Sequence, residues 1–157
     1  MKNLGLLFIS GLMMFSCNQM PKTASDMNQE KESVVLAKPV KNGMLIHITK
    51  GYDDPHRVLM ALKMATMMAE DKDVLVYMDI DAVGLLVKEA KDLNHPGFES
   101  AHTYIKQLVE KNVGVYACPT CIKVAGFTPE DLMEGVQAAQ KDKFFDFTKG
   151  RIITLDY

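Results

Sequence analysis

Two cysteines with two residues between them, Cys118 and Cys121, are the part of this sequence best suited to chemistry. A thiolate attacks sulfur, binds metal ions and exchanges disulfides. The apolar run at residues 113–117 is typical of a buried strand, and Ile122 and the residues after it can begin a helix. Cys118 is therefore expected at a helix start, where unpaired N–H groups and the helix dipole favour thiolate over thiol.

Two other uses of this cysteine pair remain open. Structural zinc takes four ligands, whereas the sequence offers no second pair of cysteines at this spacing. The four histidines also lack a paired ligand spacing: His47, His56, His95 and His102. A structural disulfide is compatible with an oxidising compartment. We expect sulfur or redox chemistry, with no metal and no cofactor.

The beginning of the chain has the pattern of an export signal. Residues 4–15 form an apolar run of about a dozen residues, short for a bilayer span but suited to a signal-peptide core. Ser16 then precedes Cys17, a junction that resembles the lipobox of bacterial lipoproteins, although Met14 and Phe15 depart from the strict motif. Residues 1–17 are therefore expected to be a signal peptide ending at Cys17, the site of lipidation. The protein would be exported and anchored in the membrane through this lipid, in the periplasm or at the cell surface.

The remaining chain divides into a tether and one domain. Residues 18–42 are rich in charged and polar side chains and show no sustained apolar period, which is typical of a flexible tether. Residues 43–157 are long enough for a single hydrophobic core. The net charge of −2, with both signs mixed, gives no basic face for a nucleic acid.

Apolar strands and helices alternate along the domain. Strands are expected at residues 44–48, 73–78, 113–117 and 151–156, and residues 136–139 suit either a strand or a helix extension. Helices are expected at residues 55–69, 81–90, 98–111 and 143–149, with a two-turn helix beginning at Thr128. Apolar strands in this alternation predict an α/β fold with a parallel sheet covered on both faces.

The segments 113–127 and 148–157, together with residues 53–58, resemble the DsrE/DsrF-like family. The resemblance covers nearly all of residues 44–157. It implies a flavodoxin-like three-layer α/β/α fold with about five parallel strands in the order 2-1-3-4-5, residues 136–139 being the fourth strand. It also implies a homo-oligomer.

In the best-understood members of that family, which relay sulfur, a cysteine after this strand carries a persulfide, and its position here is Cys118. The export signal departs from those cytoplasmic members, and so does the second cysteine, Cys121. Attack by Cys121 on a Cys118 persulfide would release sulfide and close a disulfide. We therefore expect a sulfur-transfer or sulfur-redox protein whose partner is a sulfur donor, a sulfur acceptor or a thiol reductant. A non-enzymatic binding or assembly module is the alternative.

The other candidates depend on the strand order. In the implied order the loop leading to His56 would face Cys118, and His56 could shuttle a proton, although it is also placed as an exposed first-turn residue. Asp53 and Asp54 are expected to cap a helix. His47, inside a strand, is expected to be a packed residue.

Overall fold

The computed structural model describes residues 39–157, so the expectations for Cys17, the signal peptide and most of the tether lie outside the described residues. Five strands occur in this part: β1 (Gly43–Ile48), β2 (Asp73–Met78), β3 (Gly114–Ala117), β4 (Val136–Ala138) and β5 (Ile152–Asp156). The α-helices are α1 (Pro55–Met68), α2 (Ala101–Glu110), α3 (Pro119–Val124) and α4 (Lys143–Asp146). Two 3₁₀ helices cover Ile80–Leu85 and Pro129–Asp131. Within the described residues, no helix has the length and apolar character that a bilayer crossing requires.

The five strands form one parallel sheet, as expected for the flavodoxin-like α/β class, and β4 is a strand. The strand order, however, is β4-β3-β2-β1-β5, so the predicted order 2-1-3-4-5 is wrong. Each of the first three crossovers places the next strand beside its predecessor, the arrangement favoured for consecutive elements. Only the last connection returns to the other side of β1. As a result, β2 separates the end of β1 from the end of β3.

Helices α1 and α2 pack on one face of this sheet, and the main core lies between them and the strands. Side chains alternate between faces along a strand. The buried strand residues of the core face are Ile46, Ile48, Val74, Val76, Met78, Val115, Ala117 and Val136. On the other face, α4 places Phe144 edge-on against Tyr77, with ring centroids 5.0 Å apart. Helix α4 therefore helps to cover the second face of the sheet.

Local signals explain where several elements begin and end. Asp54 caps α1 by accepting a hydrogen bond from the backbone N–H of Arg57 at 3.2 Å, and Pro55 occupies the first helical position. Ser100 caps α2 in the same way. Asn112 follows the end of α2 and has a φ of 59°, the left-handed conformation expected at this position.

The helix expected at residues 81–90 is wrong, because this segment forms only the 3₁₀ helix Ile80–Leu85. Its apolar side chains are buried almost consecutively: Ala82, Val83, Leu85, Leu86 and Val87. An amphipathic α-helix would instead leave one side exposed. Val87 also forms an antiparallel bridge with Leu132, which holds the chain extended after the 3₁₀ helix. Tertiary pairing thus overrides the local helix pattern, and the helix expected after Thr128 is likewise one 3₁₀ turn.

Candidate functional site

Cys118 lies where β3 ends and α3 begins, as the sequence predicts. Its backbone N–H donates to the carbonyl of Met78 at 2.9 Å, which continues the ladder between β2 and β3. Its own carbonyl accepts the N–H of Ile122 at 2.9 Å, the first hydrogen bond of α3. Cys118 is thus the N-cap residue, with Pro119 following at the first helical position. This junction sits at the carboxyl edge of the sheet, where parallel α/β folds place their sites.

The two cysteines are half-buried free thiols in different electrostatic surroundings. Burial acts to raise the pKa of Cys118, but the hydrogen bonds that its sulfur receives outweigh burial. The donors are the Tyr77 hydroxyl, the backbone N–H groups of Cys121 and Thr120, and the Cys121 thiol. The pKa of Cys118 is therefore held below its ordinary value, which favours the thiolate at this position.

Cys121 shows the opposite behaviour. Burial raises its pKa, and this outweighs the opposing effect of a hydrogen bond from the backbone N–H of Ile80. The adjacent Cys118 sulfur and the carboxylate of Asp79 raise the pKa of Cys121 further. The two cysteines are therefore shifted in opposite directions, Cys118 toward the thiolate and Cys121 toward the protonated thiol.

Tyr77 is a site residue that the sequence did not reveal. It lies on β2 near Cys118, and a hydrogen bond from its hydroxyl is one of the causes that lower the pKa of the Cys118 thiol. Burial, followed by this hydrogen bond and the nearby negative charges, raises the pKa of Tyr77, so the hydroxyl stays protonated as a donor. Its position near the carboxyl end of a strand could have marked it as a site residue. That inference would have required knowing that β2 lies next to β3.

His47 lies beside Tyr77 on the neighbouring strand β1 and stacks on its ring at a centroid distance of 5.4 Å. Its Nδ1 is 2.8 Å from Oδ1 of Asp156, and its Nε2 is 3.1 Å from Oδ2 of Asp79. Burial acts to lower the pKa of His47, but the two carboxylates prevail and raise it. His47 is thus a packed strand residue, as expected, that also carries a charge-paired imidazole.

His56 has different neighbours from those expected. Its ring stacks on His95 at 4.9 Å between centroids and lies 5.4 Å from the ring of Phe98. The hydrogen-bond partners of the Cys118 sulfur do not include it within the described residues. Because β2 stands between β1 and β3, the loop before His56 does not occupy the place that the predicted strand order assigned to it. A proton-shuttle role for His56 stays a prediction.

Ile80, whose N–H donates to Cys121, adopts a φ of 48°. A β-branched residue is strained in this left-handed region, and such strain is often found at functional sites. The Ile80 side chain is also 59% exposed, so the free energy gained by burying it offsets little of the cost of this backbone conformation. This strained residue directs a backbone donor at the second cysteine.

Replacement of Ile80 by asparagine is expected to raise the free energy of unfolding by about 1 kcal/mol, because asparagine tolerates the left-handed conformation. Urea denaturation would measure the change. Asn112 already occupies such a position with a φ of 59°, so Asn112→Ile serves as the converse control and should lower stability by a similar amount. Equal stabilities for wild type and Ile80→Asn would contradict the assigned strain.

The two half-buried cysteines lie at the carboxyl edge of the sheet. A cavity of about 590 Å³ lies elsewhere, around the amino ends of β2 and β3, and its lining includes neither cysteine. In residues 39–157, no three His, Cys, Asp or Glu side chains are grouped so that they could hold a metal ion. Val124, three residues after Cys121, and Ile80, in the 3₁₀ helix that packs against α3, both expose apolar side chains.

The fold and the site together define a parallel α/β domain with a thiol pair at its carboxyl edge. A model of the DsrE/DsrF-like family matches residues 43–154, and the chain belongs to this family. Membership associates the chain with sulfur-relay function in general.

Two solved structures share this fold. The crystal structure of the ychN protein from E. coli is 19% identical, with a TM-score of 0.59, over 73% of this chain and 99% of that chain. A protein of unknown function from Methanobacterium thermoautotrophicum is also 19% identical, with a TM-score of 0.54 and the same coverage of both chains. A comparison with curated proteins gave no significant match.

Proposed function

We propose that this chain is a thiol-based sulfur-transfer or sulfur-redox protein of the cell envelope, in which Cys118 carries the sulfur and Cys121 resolves it. The observation that carries the proposal is the unequal thiol pair. The pKa of Cys118 is lowered by hydrogen bonds, whereas the pKa of its neighbour Cys121 is raised. Membership of the DsrE/DsrF-like family supports sulfur as the transferred element.

The first step loads sulfur. The Cys118 thiolate attacks the sulfane sulfur of a polysulfide or of a donor protein's persulfide, and the donor leaves as a thiolate or a shortened polysulfide. A new sulfur–sulfur bond forms at Cys118 as the donor's bond breaks, so the oxidation state of the transferred sulfur is unchanged. The hydrogen bond from the Tyr77 hydroxyl to Cys118 stabilises the attacking thiolate.

The second step makes use of Cys121. Its sulfur attacks the inner sulfur of the Cys118 persulfide, hydrogen sulfide leaves, and an intramolecular disulfide closes. The sulfane sulfur is reduced by two electrons and the two cysteines are oxidised by two, so the step balances. An external dithiol protein must then reduce the disulfide by thiol exchange. This partner is a thiol reductant, and the exposed Ile80 and Val124 beside the motif offer it an apolar contact.

The location is the second part of the proposal. The apolar run at residues 4–15 followed by Cys17 supports an exported protein held at the membrane by a lipid on that cysteine. The residues 18–42 would serve as the tether. We also propose a homo-oligomer, as the family resemblance implies.

Exposure of the purified protein to polysulfide tests the chemistry. Mass spectrometry of the alkylated protein is expected to show one added sulfur on the Cys118 peptide or a Cys118–Cys121 disulfide, with free sulfide in solution. Peptide mapping separates these products from reactions of Cys17. A protein that gives no sulfur adduct and no disulfide at any polysulfide concentration would contradict the proposal and leave a binding or assembly module.

A further inference from the structure

The imidazole of His47 is held on both sides by carboxylates at the same edge of the sheet as the cysteines. We propose that His47 is a positioning residue: clamped between Asp156 and Asp79, it supports the ring of Tyr77 and so keeps the Tyr77 hydroxyl on the sulfur of Cys118. This role deepens the proposed function and rests on Cys118 being its reactive thiolate.

The clamp comes from three separate elements. Asp156 on β5 approaches Nδ1 of His47 at 2.8 Å, and Asp79, which follows β2, approaches Nε2 at 3.1 Å. Only the imidazolium carries N–H donors at both ring nitrogens. Asp156 forms a hydrogen bond with Nδ1, and the carboxylate of Asp79 beside Nε2 adds a second negative charge, so both favour the protonated ring and hold it at this place on β1.

The position of that ring matters because Tyr77 lies against it. The two residues are register partners on β1 and β2, and their rings stack with an interplanar angle of 28°. Phe144 of α4 contacts the Tyr77 ring edge-on at 76°. With two aromatic neighbours, one stacked on it and one nearly perpendicular to it, the tyrosine ring has a defined direction, and its hydroxyl lowers the pKa of Cys118.

The charges around His47 are consistent with an indirect role. The titratable groups that face it are Asp156 from β5, Asp79 after β2, and Tyr77 from β2. A carboxylate oxygen lies beside each ring nitrogen, 2.8 Å from Nδ1 and 3.1 Å from Nε2. His47 therefore reaches Cys118 only through the tyrosine.

A double-mutant cycle tests this coupling. Cys118 is made the only cysteine of the full chain by Cys17→Ser and Cys121→Ser, and its alkylation rate by iodoacetamide is measured against pH. Tyr77→Phe and His47→Gln should each move the midpoint of the profile upward. Each variant is expected to lose or weaken a hydrogen bond to a charged sulfur at a half-exposed site. At pH values below the midpoint, the alkylation rate of Cys118 should therefore be about three- to tenfold lower than in the parent.

The double variant provides the decisive comparison. If His47 acts through Tyr77, His47→Gln should add nothing once Tyr77 is phenylalanine. Additive effects would show that the histidine acts independently, through its charge, and an unchanged profile for His47→Gln would show no role; either result overturns the proposal. His102→Gln is the matched control, since His102 pairs with Asp92 at 3.9 Å away from Tyr77, and its profile should equal that of the parent.

Folding is checked separately. Circular dichroism of each variant reports whether the domain is intact. If His47→Gln unfolds the domain, Asp156→Asn on the exposed edge strand releases one side of the clamp and should shift the profile in the same direction; no shift would overturn the proposal. The alkylation assay requires no sulfur transfer, so failure of the proposed function, seen as no persulfide, is distinguishable from failure of this coupling.

Discussion

Replacement of Cys121 by serine is expected to turn a protein that releases sulfide into one that accumulates persulfide on Cys118. Loading needs only the Cys118 thiolate and its hydrogen bond from Tyr77, so the first step should survive. Release needs the second thiol, which is held beside the first within one turn of α3. Loss of this intramolecular attack should reduce sulfide release about a hundredfold or more, because a neighbouring group acts at a high effective concentration.

A sulfide electrode and intact-mass spectrometry would measure the two products of the Cys121→Ser variant. Cys118→Ser is the matched control, and it should give neither persulfide nor disulfide after the same exposure to polysulfide. The assignment of roles would be reversed if Cys118→Ser accumulated persulfide on Cys121. Undiminished sulfide release by Cys121→Ser would remove the resolving role altogether.

Replacement of Ile122 by alanine should have the largest effect on stability near the site. The Ile122 side chain is 2% exposed and joins the core under α3, and its N–H bonds to the carbonyl of Cys118. Truncation of a buried isoleucine typically costs about 2 to 4 kcal/mol, because apolar contacts are lost and a cavity remains. Urea denaturation is expected to show a decrease of this size in the free energy of unfolding.

Val124 on the same helix supplies the control. Its side chain is 83% exposed, so Val124→Ala should change stability by less than about 0.5 kcal/mol. The alkylation midpoint of Cys118 should also rise in Ile122→Ala and stay unchanged in Val124→Ala, because the buried side chain anchors the turn that carries the backbone donors. Equal stability losses in the two variants would contradict the burial assigned to Ile122.

The sequence by itself determined the local architecture of this domain. Asp54 with Pro55, and Asn112, mark helix ends through backbone and capping preferences that depend on a few neighbouring residues. The apolar strand that runs into Cys118 predicted a cysteine at a strand-to-helix junction, and the structure confirms it. Such features are readable because their physical causes lie within one or two turns of chain.

Only the tertiary structure decided which strands are neighbours. The order β4-β3-β2-β1-β5 puts β2 next to β3, and this brings Tyr77 to Cys118 where His56 had been expected. The clamp on His47 likewise joins β1 to β5, whose paired residues are 109 positions apart in the chain. Strand pairing depends on packing between distant segments, so a strand pattern reveals each strand but not its partner. The sequence therefore indicated the candidate nucleophile, and the fold supplied the groups that lie against it.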